Sequence, residues 1–154
     1  MGVRAYLTDY SKGDRLSWYW RCFRWREQTK SKAARDILTF ALNRMAHRHG
    51  GYIGNGAVIS GTPLLPHGLH GIYISRYASI GTDCCIYQNV TIGEAGRIAP
   101  QIGDHCLIGA GAVIVGGVRI GNHVKIGAGT VVHCDIPDGC TVVAPPPRIL
   151  VKGR

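Results

Sequence analysis

Two histidines three residues apart, His67 and His70, stand in the run Pro66-His67-Gly68-Leu69-His70-Gly71. Imidazole is the side chain whose ordinary pKa suits proton transfer near neutral pH. A loop histidine on a rigid scaffold is thus a candidate general base for a hydroxyl nucleophile. His67 is the favoured base, His70 the alternative base or a substrate contact, and a turn histidine without a role is the plain alternative. Downstream stand further residues with chemistry to offer: Gln88, Asn89, Glu94, Arg97, His105, His123, His133 and Cys134. What they do depends on the scaffold that places them.

That scaffold is legible between Ile102 and Val132. An aliphatic residue recurs every six positions, at Ile102, Ile108, Ile114, Ile120, Ile126 and Val132, and Gly follows most of them. A period of six identifies a hexapeptide parallel β-helix. Each unit is one short strand and one turn, and three units close a triangular coil of about eighteen residues. The aliphatic side chains point inward and stack along the axis, and Gly serves where a corner needs a positive φ. A sandwich of alternating strands does not predict that period. The chain is therefore read as all-β, a left-handed parallel β-helix with a short N-terminal helical segment.

The period starts at Ile53, Ile59 and Leu65 and breaks at residues 65–71. It resumes at Ile74, Ile80, Ile86 and Ile92, and breaks again over 94–101. Loops on a rigid solenoid are where sites are built. The two breaks lie about one coil apart, so Glu94 and Arg97 are expected to face His67. The same counting stacks His105 on His123, with Asp83 joining that column, and stacks Cys84 on Cys106. A metal needs three or four convergent ligands, so the cysteines read as small inward filler, the histidines as solvent or subunit contacts, and no metal is expected.

Residues 1–50 differ from the rest. They hold eleven Lys and Arg against four acids, and all three Trp, while residues 51–154 hold seven against five. Leu16, Tyr19, Trp20 and Phe23, with Glu27, follow helical spacing. Ala34, Ile37, Leu38, Ala41 and Met45 give a second stripe, with Ser31 as N-cap and Gly50-Gly51 as the stop. These helices are read as a cap on the open end of the β-helix or a subunit contact. The other reading sets Arg21, Arg24, Arg26 and the Trp residues against an anionic membrane surface. No nucleic-acid-reading motif accompanies the charge.

The organisation expected is a basic helical segment over 1–50, the β-helix over 51–143 and a tail over 144–154. The six Cys include the adjacent Cys84 and Cys85, and neither a signal peptide nor a membrane-spanning stretch is visible. Free thiols in a cytoplasmic protein are expected.

Three runs carry a resemblance: P-H-G-L-H-G-I-Y-I-S, then I-G-T-D-C-C-I-Y-Q-N-V-T-I-G, then I-G-A-G-A-V-I with A-P-P-P-R-I. Over about residues 52–152 the chain resembles the bacterial hexapeptide acyltransferases, and most closely their serine acetyltransferase branch. The resemblance implies acetyl-CoA as co-substrate, bound along a groove between two neighbouring β-helices of a homotrimer. It implies His67 as general base. It places Ala110 and Ala128 against the pantetheine, His133 and Cys134 near the nucleotide half, and Arg148 and Lys152 near phosphates. Pro66, Tyr52 and Ala99 stand where that branch carries two Asp and a His.

The acceptor is thus expected to be a serine-like small hydroxyl compound, with Glu94 and Arg97 available to meet its charges. The alternative is a saccharide of surface-polysaccharide synthesis, met by Tyr52, Gln88 and Asn89 as hydrogen-bond partners. An oxyanion would be held by backbone N–H groups near Gly93 or the 94–101 loop. A rival of another class is a non-catalytic β-helix scaffold whose basic N-terminus is an interaction arm.

Overall fold

The computed structural model describes residues 16–148 and 150. Among the described residues two helices lead: α1 (Ser17–Gln28) and α2 (Lys32–Arg48). The Ser31 hydroxyl accepts from the Ala34 N–H at 3.3 Å, which caps α2 as its sequence predicts. Gly50, at φ +63°, closes the other end, where the Gly51 N–H reaches back to the Ala46 carbonyl. α1 buries Tyr19, Trp20 and Phe23, as expected. α2 buries Leu38, Leu42 and Ala46, and Ile37 points to solvent. The expected stripe is therefore rotated, because apolar residues line both sides of this helix and only one side meets the core. Arg26 is also a correction. It is buried, stacks over the Phe23 ring at 4.5 Å and pairs with Glu27 at 2.9 Å, so it offers no surface charge.

Thirteen short strands follow in three parallel sheets. The first sheet stacks β1 (Tyr52–Ile53), β3 (Tyr73–Ile74), β6 (Thr91–Gly93), β9 (Val113–Val115) and β12 (Val131–Val132). The second stacks β2 (Val58–Ile59), β4 (Ser79–Ile80), β7 (Gln101–Ile102) and β10 (Arg119–Ile120). The third stacks β5 (Cys85–Ile86), β8 (Leu107–Ile108), β11 (Lys125–Ile126) and β13 (Thr141–Val142). The chain visits the sheets in turn, so this is the parallel β-helix that the period of six predicts.

Register follows from burial. Ile53, Ile74, Ile92, Ile114 and Val132 stack inward in the first sheet, all 2 % exposed or less. A slip of one residue would turn each to solvent. The helices share that core: Tyr19, Trp20, Phe23, Leu42 and Ala46 pack in one cluster with the aliphatic stacks. The cap removes the exposed edge from the N-terminal coil.

The corner between the second and third sheets is tied by side chains. Asp104 Oδ1 accepts from the Thr82 N–H at 2.6 Å, Asn122 Oδ1 from the Asp104 N–H at 2.8 Å, and Asp138 Oδ1 from the Asn122 N–H at 2.8 Å. The bond from the Thr82 N–H first, and then that from the Thr82 hydroxyl, hold the Asp104 carboxyl below its ordinary pKa. Outside them runs the expected column: His105 and His123 stack at 4.8 Å, and Asp83 lies 3.7 Å from His105 Nδ1. All three adopt left-handed backbone, φ 52–57°. The column is linear, and among the described residues no three His, Cys, Asp or Glu side chains form a group that could hold a metal. Cys84 and Cys106 fill the inward position and donate to the Gly103 and Gly121 carbonyls at 3.2 and 3.1 Å. All six cysteines are free thiols.

Candidate active site

The break at 65–71 forms the corner between the third and first sheets in the lowest coil. Backbone bonds carry that corner upward rung by rung. The Gly71 N–H reaches the His49 carbonyl at 3.0 Å, Asn89 N–H that of His70 at 2.9 Å, Gly111 N–H that of Gln88 at 3.0 Å, and Gly129 N–H that of Ala110 at 2.9 Å. His49, His70, Gln88, Ala110 and Ala128 therefore form one column. Beside it runs a second, of Gly71, Asn89, Gly111 and Gly129, all left-handed with φ 59–69°. Asparagine is among the few side-chain-bearing residues that tolerate this backbone.

The structure thus brings together His67, His70, Gln88, Asn89, Ala110 and Ala128 along a single edge. His67 is exposed in the turn, its ring 6.0 Å from that of Tyr87. His70 packs edge-on to His49 at 5.0 Å. Gly71 is required twice: by its positive φ, and because a Cβ there would fall onto Asn89 Oδ1. Higher up the edge is open, with nothing within 4 Å of a Cβ at Gly111 or Gly129. Gln88 Oε1 is buried without a hydrogen-bond partner.

Next to this edge, a shallow cavity of about 300 Å³ lies on the outer face of the first sheet. Tyr52 and Tyr73 form one wall, their rings 6.3 Å apart, and Ser75, Arg76, Thr91 and Glu94 line the rest. The Ser75 hydroxyl donates to Glu94 Oε2.

The break at 94–101 sits elsewhere. It follows β6 and turns the chain from the first sheet to the second, so Glu94 and Arg97 lie at the far edge of the first sheet from His67. The expectation that this loop faces His67 fails within one chain, because a full strand separates the two corners. His133 and Cys134 follow β12 to that same far corner, both exposed, and so do not join Ala110 and Ala128. Arg148 is exposed on the segment after β13, which leaves the third sheet above Ala128. Lys152 lies outside the described residues. His49, Tyr73, Ser75 and Tyr87 were not singled out in the sequence. His49 stands 21 residues before His70, the step that separates Tyr52 from Tyr73, and that step was the available signal.

Residues 99–134 match the family of bacterial transferase hexapeptide repeats. The chain carries the hexapeptide-transferase repeat. Its β-helix is similar to serine acetyltransferases. The enzyme of Synechococcus elongatus is 38 % identical over 101 residues, 63 % of this chain and 41 % of that one. That of Staphylococcus aureus is 40 % identical over 99 residues, 62 % of this chain and 46 % of that one. The Neisseria gonorrhoeae serine acetyltransferase in complex with serine superposes with a TM-score of 0.72 at 34 % identity, covering 83 % of this chain and 54 % of that one. Isoform 3 from Entamoeba histolytica, in complex with cysteine, superposes at 0.67 with 32 % identity, covering 77 % and 44 %. The chain spans less than half the length of most of the curated relatives it matches. The matched repeat spans Ala110, Gly111, Ala128 and Gly129 of the open edge.

Proposed function

We propose that this protein is an acetyl-CoA-dependent O-acetyltransferase of the serine acetyltransferase type, working as a homotrimer. The observation that carries the reading is the single edge on which His67 and His70 stand at the foot of Gln88, Ala110 and Ala128. In this reading residues 51–143 are the catalytic β-helix, residues 1–50 its basic helical cap, and 144–154 the tail that meets the donor. His67 removes the proton from the acceptor hydroxyl, and the resulting oxygen attacks the thioester carbonyl. Backbone N–H groups beside Gly93 or the 94–101 loop of the neighbouring protomer hold the oxyanion. On collapse the carbon–sulfur bond breaks, and the proton on His67 passes to the leaving thiolate. His70 is the second candidate for that base.

The small residues Ala110 and Ala128 leave room for a pantetheine chain. Arg148 and Lys152 supply cations for its phosphates, and His133 and Cys134 meet the nucleotide from the far corner of a neighbouring chain. A trimer gives the 94–101 loop its task. Set against the next protomer, Glu94 and Arg97 reach the neighbour's histidine edge, which they do not reach in their own. The acceptor is a small hydroxyl compound of serine type. A saccharide is the second reading, favoured by the size and aromatic wall of the Tyr52–Tyr73 cavity, with Gln88 and Asn89 as partners. In this reading the protein works in the cytoplasm.

Thiol release from acetyl-CoA, compared for L-serine and simple hexosides, tests the assignment. His67→Ala should lower kcat by about 10²–10⁴-fold with acetyl-CoA affinity retained. Full activity in His67→Ala, with loss in His70→Ala, moves the base to His70. Absence of turnover with every acceptor leaves the non-catalytic scaffold.

A further inference from the structure

The capping helices bury one face each and leave the other bare. On α1, Trp18 and Trp25 lie seven residues apart, two helical turns, and are 66 % and 61 % exposed. Arg21 lies between them, its guanidinium 5.1 Å over the Trp18 ring. On α2, Ile37 and Phe40 are each 70 % exposed, and Arg44 continues their stripe. The buried faces pack into the cluster that includes the lowest coil, so Trp18, Trp25, Ile37 and Phe40 lie on the sides opposite it, while Arg21 also reaches the rim of a cleft lined by Thr62, Pro63 and Leu64 of the first coil. Four large apolar side chains this exposed are not needed for the fold.

Charge decides among occupants. The described helical segment exposes seven Lys and Arg against two acids, Glu27 and Asp36. A second copy docked face to face would set like charges against like. An apolar partner would leave the cations desolvated and unpaired. Bulky apolar side chains interleaved with arginine fit the boundary between anionic headgroups and acyl chains, where Trp is favoured and cations gain from the surface potential. Neither helix is long and apolar enough to cross a bilayer, so contact would be from the side.

We infer that the outer face of the α1–α2 cap, centred on Trp18, Arg21, Trp25, Ile37, Phe40 and Arg44, docks on an anionic lipid surface. The coils then stand away from the membrane with the histidine edge free. The inference is independent of the acetyl-transfer reading, since it uses none of those residues.

The full chain should co-sediment with phosphatidylcholine vesicles containing about 30 % phosphatidylglycerol, and not with phosphatidylcholine alone. Tryptophan emission should shift to the blue on binding. Trp18→Ala with Trp25→Ala should weaken partitioning by about tenfold or more, and Arg21→Glu with Arg44→Glu by at least as much. Both pairs are exposed, and circular dichroism checks that the helices remain. Equal partitioning to both vesicle types, no partitioning at low salt, or partitioning untouched by either pair overturns the inference. Self-association that the Trp pair abolishes, without vesicle binding, also overturns it and assigns the face to a second copy.

Discussion

Replacing Gly71 with Ala tests the corner that carries the site. Gly71 holds φ +65°, and a Cβ there would fall on Asn89 Oδ1, with Asn89 Cγ and Cα at 3.1 and 3.2 Å. Two costs separate cleanly. Left-handed backbone costs an L-residue roughly 1–2 kcal/mol. Driving the Asn89 side chain off its rotamer adds about 1 kcal/mol. Gly139→Ala is the control. Gly139 has φ +71° and nothing within 4 Å of its Cβ, and it stands above His123 on the corner between the second and third sheets, away from His67 and His70. The control should lose roughly 1–2 kcal/mol and Gly71→Ala about 1 kcal/mol more, read as urea midpoints at a common slope. The kinetics should separate further. If Asn89 meets the acceptor, as the saccharide reading has it, swinging it away removes one hydrogen bond and acceptor KM should rise by roughly three- to tenfold. KM in the control should not move. Equal stability loss in both variants, with acceptor KM unchanged in Gly71→Ala, would refute the reasoning.

Three further outcomes are expected. Ala128→Trp should fill the open edge and weaken acetyl-CoA binding by more than about tenfold in calorimetry while leaving the unfolding midpoint within about 1 kcal/mol; unchanged affinity would remove this edge from the donor path. Arg148→Ala with Lys152→Ala should weaken acetyl-CoA binding in the folded protein and reduce its salt dependence, and an unaltered salt slope would count against a phosphate contact. The Asp104 pKa is depressed in the folded state, so its stabilising effect is complete above the ordinary carboxylate range and is lost as pH falls through the folded value. Asp104→Asn should therefore flatten the acid-side loss of stability below about pH 4, and an unchanged acid unfolding curve would show that other carboxyls dominate.

The scaffold was legible because one inward position repeats on every rung, so each aliphatic residue restates the same fact. Counting across the inserted residues even placed Asp83, His105 and His123 in line. The α2 face was not legible, since Ile37 and Phe40 are as apolar as Leu38 and Leu42 and periodicity cannot say which side meets the core. Nor was the burial of Arg26, which depends on a local stack over Phe23. The distance between the two breaks was misread although the arithmetic was present. From Ile72 to Glu94 is one full coil and one further side, which moves the second loop to another corner. The histidine edge is an effect of register, and register is fixed only once the strands are paired.

The two ends of the coil stack differ, and the molecule therefore has a direction in which it comes apart. At the start, Tyr19, Trp20, Phe23, Leu42 and Ala46 seal the first coil. At the finish, Ile136 and Val142 are only partly covered, whereas Ile108 and Ile114 are wholly enclosed. Each coil rests only on its neighbours, so opening proceeds from the less protected end. Amide exchange should be fastest around β12 and β13 and slowest beneath the helices. The histidine corner belongs to the slow end, and the residues proposed to meet the donor last in the chain belong to the fast one. A pliable grip on a long cosubstrate and a stiff seat for the proton-transfer groups would then be two ends of one gradient.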